Sequence, residues 1–120
     1  STMAFTSIKE SVYDVHLLQA KNCESSSVNT SISVRLSNDG GSSYEAGTSY
    51  QLALQYISTG GGNGEVNSTG TSYMEFLSDT ANENRSGYMY LYSLGNSAKY
   101  SSSTYQQMIM LGQVLYLFME

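Results

Sequence analysis

Residues Thr30–Tyr50 constrain the fold more than any other stretch of the chain. Ile32, Val34 and Leu36 alternate with Ser31, Ser33 and Arg35, the period of two expected of a half-buried β-strand. Asn38-Asp39-Gly40-Gly41 follows, a set of residues that tolerates the positive φ of a tight turn. A polar run then leads into a second alternating segment, in which Leu52, Leu54 and Tyr56 face one way and Gln51, Ala53 and Gln55 the other. Strand, turn and strand are therefore expected in succession. A helix would need its apolar residues three and four apart.

The same grammar runs along the chain. Strands are expected at Ser11–Leu18, Thr30–Ser37, Ser49–Ser58, Ser72–Ser78 and Gly87–Leu94. In the first, Tyr13, Val15 and Leu17 oppose Val12, Asp14, His16 and Leu18. Residues 19–29 read as a polar connection, Thr59–Thr71 as a flexible glycine-rich loop, Asp79–Arg85 as a turn and Gly95–Ser103 as a polar loop. At the C-terminal end, periodicity does not separate strand from helix. Gly112-Gln113 sits where a turn would fall, which favours two strands, Tyr105–Leu111 and Val114–Met119. The expectation is an all-β protein, an antiparallel β-sandwich of jelly-roll-like form, with residues 1–120 as a single domain. Leu115–Met119 is strongly apolar and is followed at once by Glu120. Such a segment lies inside a sheet, continues into further chain, or is covered by another subunit.

Composition narrows the function. Charged residues make up 12% of the chain, about half the usual share of roughly 25%. Serine, threonine, asparagine, glycine and tyrosine replace them, as in β-proteins with uncharged, hydrogen-bonding surfaces. The net charge is −5. Lys9, Lys21, Arg35, Arg85 and Lys99 are scattered, whereas a nucleic-acid surface clusters its cations to displace counterions from phosphates. No nucleic-acid partner is expected. No apolar run reaches the length of about 20 residues that spans a bilayer, and the N-terminal segment has no apolar core of a signal peptide. Membrane insertion is not expected. One cysteine, Cys23, allows no intrachain disulfide; with only Lys21 nearby, it reads as a small loop or strand-end residue.

Residues that could carry chemistry are few. Asp14 and His16 share one strand face and could form half of a catalytic triad, but a surface or edge pair is the simpler expectation. One His and one Cys fall short of a zinc site. Ser37–Gly41 with Glu45 nearby loosely resembles a calcium loop, but too few acidic positions are present, so a β-turn is expected and no cofactor or metal is assigned. Gly60–Gly64 has no Gly-Lys-Ser/Thr after it and is not a phosphate loop. Sequons at Asn29, Asn67 and Asn84 arise readily in a chain rich in Asn, Ser and Thr. The tyrosines are the most suggestive groups: there are 11, against no tryptophan. Tyr88, Tyr90 and Tyr92 would line one strand face at intervals of about 7 Å, with Met89 and Leu91 opposite. Such a row either packs in a core or subunit interface or offers a platform for sugar rings.

Three segments together resemble tailed-bacteriophage virion structural proteins of the tail-fibre or decoration type. They are Tyr13-Asp14 within Ser11–Asn22, the strand Ile32–Leu36 with its Ser37-Asn38-Asp39-Gly40-Gly41-Ser42-Ser43-Tyr44 turn, and the later strand Gly87–Leu94. The resemblance implies a β-sandwich within a homo-oligomer, located in the virion, in contact with other virion proteins and with a host-surface glycan. It brings no catalytic residues, and no enzymatic activity is expected. In the family pattern further strands follow where this chain ends. A capsid decoration protein and a free carbohydrate-binding module are the alternatives that share these features.

Overall fold

A computed structural model describes residues 2–24, 27, 30–57, 60–77, 84–96 and 98–110. Seven strands occur among them, in the order β1 (Val15–Cys23), β2 (Ile32–Val34), β3 (Tyr50–Ile57), β4 (Asn63–Thr71), β5 (Met74–Leu77), β6 (Asn84–Tyr92) and β7 (Ser102–Met110). No helix occurs among the described residues. β6 lies between β1 and β7 and is antiparallel to both; β3 and β4 form an antiparallel ribbon; β2 pairs with β5. The all-β, antiparallel class expected from the alternating pattern is what the chain adopts.

Two compact units are present. One comprises Ser1–Ile8 and Ile32–Glu75, the other Lys9–Ser31 and Phe76–Glu120. In the second unit the core is drawn from Phe76 and Leu77 on β5 and from Met89 and Leu91 on β6, all buried. Phe76 and Leu77 are adjacent in sequence, so this end of β5 is covered on both faces rather than half-buried. Leu77 reaches the β6–β7 ladder at Gly87: a Cβ on that residue would stand 2.8 Å from Leu77 Cδ2 and 2.7 Å from the Gln106 carbonyl oxygen. Arg85 is also buried, and its Nη1 donates to the Thr30 carbonyl at 3.1 Å. The bond ties the segment before β2 to the first turn of the β6 pleat.

Several boundaries differ from the sequence expectation, each for a local reason. β1 begins at Val15 and runs on through Gln19–Cys23, which was expected to be a polar connection. Backbone pairing with β6 continues through Gln19↔Tyr88 and Ala20↔Gly87, and the ladder hydrogen bonds do not depend on side-chain polarity. The register then slips between Ala20 and Cys23, at Asn22, whose φ of 50° is one that asparagine tolerates. The Asn22 N–H is satisfied by the Ser86 hydroxyl at 3.1 Å. The second strand shrinks to Ile32–Val34, because the backbone from Leu36 onward is taken up by a loop described below.

The largest correction concerns Thr59–Thr71. Residues 63–71 of this expected loop form β4, paired with β3 from Ile57↔Asn63 to Tyr50↔Thr71. Val66 stands opposite Leu54, and the Tyr56 ring lies over Gly64, where a Cβ would meet the ring carbon Cζ. The tyrosine ring covers the surface that a glycine leaves bare in a strand. Asn84 and Arg85 belong to β6 and not to a turn, and Ser102 and Ser103 belong to β7 and not to a loop. The expected final strand, Val114–Met119, lies outside the described residues.

Candidate functional site

Alternation along β6 divides its side chains cleanly. Arg85, Met89 and Leu91 point to the buried face; Tyr88 and Tyr90 are more than a third exposed, and Tyr92 is half-buried on the same side. Of the two arrangements open to the tyrosine row, packing inside the core does not apply to Tyr88 and Tyr90. The ring centroids of Tyr88 and Tyr90 are 5.8 Å apart with planes at 73°, an edge-to-face contact. Those of Tyr90 and Tyr92 are 6.4 Å apart and within 30° of parallel. Both lie in the range of favourable aromatic pairs.

Neighbouring strands complete the face. On β7, Ser102, Thr104 and Gln106 stand opposite Tyr92, Tyr90 and Tyr88. The Tyr88 hydroxyl donates to Gln106 Oε1 at 2.5 Å, and the Tyr92 and Thr104 hydroxyls share a hydrogen bond of 3.2 Å. Two of the three rings are thereby held at both ends, by the backbone and by the phenol oxygen. The Tyr90 hydroxyl, between them, has no hydrogen-bond partner among the described residues. On β1, Leu17 and Val15 pair with Tyr90 and Tyr92 and are about half exposed. Gln19 on β1 pairs with Tyr88, and the exposed Lys21 follows it at the register shift. Around Tyr90 and Tyr92 the face therefore runs from aliphatic on β1 through aromatic to hydroxyl on β7, and around Tyr88 it is flanked by an amide on each side. Thr104 and Gln106 are legible as partners only once β7 is placed. Serine, threonine and glutamine at every second position from 102 to 106 are the signal in the sequence, and only Ser102 of the three falls in the expected loop.

The other candidates are held elsewhere. His16 is half-buried and pairs with Leu91 across the ladder, on the face opposite the tyrosines. Asp14 precedes β1, and its carbonyl accepts the Ser93 N–H at 2.9 Å. Cys23 is half-buried at the β1 register shift, with Sγ 3.8 Å from the Lys21 carbonyl.

The Asp39 loop is a closed hydrogen-bonded structure. Asp39 Oδ1 accepts from the Ser37 hydroxyl and the Ser43 N–H, each at 2.8 Å, and Oδ2 accepts from the Ser43 hydroxyl at 2.5 Å. These bonds, led by the Ser43 hydroxyl, lower the carboxyl pKa from its ordinary 3.8 to about 2. Gly40 and Gly41 take φ of 72° and 93°, which glycine adopts without strain. Outside the turn, the Glu45 N–H donates to the Leu36 carbonyl at 2.8 Å and the Glu45 carboxylate accepts from Asn38 Nδ2 at 3.1 Å. The Tyr50 hydroxyl then bridges the Leu36 N–H and the Glu45 carbonyl. Both carboxylates thus serve the loop itself. No group of three His, Cys, Asp or Glu side chains that could hold a metal ion occurs among the described residues.

The β3–β4 ribbon carries an open depression of about 370 Å³, lined by Ala53, Leu54, Gln55, Glu65, Val66 and Asn67. Glu65 is its one ionisable group. Comparison with family models, curated proteins and solved structures returned no match.

Proposed function

We propose that this chain is a non-enzymatic structural module of a bacteriophage virion, of the tail-fibre or tail-tip kind. It assembles with copies of itself and with other virion proteins, and it presents the tyrosine face of the β1–β6–β7 sheet to a glycan on the host surface. The observation that carries this reading is the braced tyrosine row: Tyr88 and Tyr90 exposed on the strand whose opposite side chains, Met89 and Leu91, are buried. A contiguous exposed aromatic row, unlike a scattered exposed ring, marks an interaction surface. The motif around Ser37–Tyr44, where the virion resemblance is tightest, supports the placement in a particle.

Two measurements test the reading. Mass spectrometry of purified phage particles should find the chain as a particle component, and light scattering of the isolated protein should give a stable oligomer. A chain absent from particles and monomeric at high concentration removes the virion assignment.

A further inference from the structure

We infer that the ligand of the tyrosine face is an uncharged oligosaccharide, stacked on Tyr90 and hydrogen-bonded by the Gln106 amide. The inference rests on the glycan-contact reading above and narrows it to a chemical class and to named contacts.

Charge decides the class. Level with the three tyrosines, the outward positions are Val15, Leu17 and Gln19 on β1 and Ser102, Thr104 and Gln106 on β7, and none is Asp, Glu, Lys or Arg. The nearest cation on this side, the exposed Lys21, stands beyond Gln19 at the β1 register shift, past the Tyr88 end of the row. A sialylated, sulfated or uronic-acid glycan would call for a cation or a cluster of amide N–H groups to replace the water around its anion. A neutral glycan calls for neither. Its C–H edges carry slight positive charge and are drawn to the negative face of an aromatic ring, while its hydroxyls need donors and acceptors at the rim.

Geometry assigns the contacts. Tyr90 and Tyr92 present ring planes within 30° of one another, and Tyr88 stands across the end of the row at 73° to Tyr90. The hydroxyl and amide row on β7 runs alongside at the strand spacing of about 4.8 Å, within reach of a sugar lying on the rings. The Tyr88 hydroxyl occupies Gln106 Oε1 and so fixes the amide, leaving the Gln106 Nε2 hydrogens to donate outward. Tyr90 keeps its hydroxyl for the ligand.

The test uses the full chain on a glycan array carrying neutral gluco-, galacto- and manno-oligosaccharides beside sialylated, sulfated and uronic-acid ones. Binding is expected to neutral members alone. Tyr90→Ala should weaken it at least tenfold and Tyr90→Phe by less than about threefold, since the phenyl face remains. Gln106→Glu keeps the acceptor for Tyr88 and loses the outward donor, so it should weaken binding severalfold with the thermal midpoint unchanged. Preference for anionic glycans, undiminished binding by Tyr90→Ala, or no binding to any glycan overturns the inference. A chain present in virions that binds no glycan sinks the sugar assignment and leaves the virion reading in place. Neutral-glycan binding by a chain absent from particles does the reverse.

Discussion

At the scale of single residues, the chain relies on side-chain oxygens where other proteins use proline or disulfides. Asp39 is the clearest case, because one carboxylate gathers three donors from Ser37 and Ser43. Its depressed pKa links loop closure to pH. The charged form is favoured in the folded loop, so its contribution is complete above the ordinary value of 3.8 and is lost as pH falls toward 2. A carboxyl-carbon NMR titration should place the Asp39 midpoint near 2. A midpoint near the ordinary value would mean that the Ser43 bonds do not hold in solution. Arg85 shows the opposite use of a polar side chain. It is buried on the inner face of β6, where its guanidinium serves the Thr30 carbonyl, and a buried carbonyl left without such a partner costs about 1–3 kcal/mol.

At the scale of elements, β6 organises the second unit, because it is the strand flanked on both sides and supplies Met89 and Leu91 to the core. Its weak point is Gly87, which sits where neither the β7 backbone nor Leu77 leaves room for a methyl group. Gly87→Ala should lower stability by about 1–3 kcal/mol, since the nearest clash is with a carbonyl oxygen of the neighbouring strand and cannot be relieved by a rotamer change. A chemical denaturation midpoint equal to that of the parent protein would show that β7 yields without cost. The elements also show what a sequence can and cannot disclose. β3 and β6 were legible because alternation and burial coincide there. β4 was not, because Gly64, Ser68 and Gly70 suggest a loop when read alone, and its pairing depends on β3 and on the Tyr56 ring. The face of β1 was ambiguous because Val15 and Leu17 on one side and Leu18 on the other are equally apolar; contact with β6 decides which side is exposed. The tyrosine row was legible in full, but the hydroxyl and amide row beside it required the register of β7.

At the scale of the whole chain, the two compact units draw on interleaved segments of sequence, so neither can be cut out as a continuous fragment. Their cores are nevertheless distinct in the residues they use, with Leu77 and Met89 fully buried in one and Tyr50 buried in the other. Leu77→Ala removes a fully buried side chain and should cost about 2–5 kcal/mol. Hydrogen exchange measured on that variant should quicken in β1, β6 and β7 and change little in β3 and β4. Equal acceleration in all of these strands would instead mark the chain as one cooperative unit. The tyrosine row has one more consequence at this scale. The chain has no tryptophan, so its ultraviolet emission belongs to tyrosine alone. Rings whose centres lie 5.8 and 6.4 Å apart pass excitation among themselves before they emit. Transfer between Tyr88 and Tyr90, whose planes stand at 73°, turns the emitting dipole and lowers the polarisation, whereas transfer between Tyr90 and Tyr92, within 30° of parallel, largely preserves it.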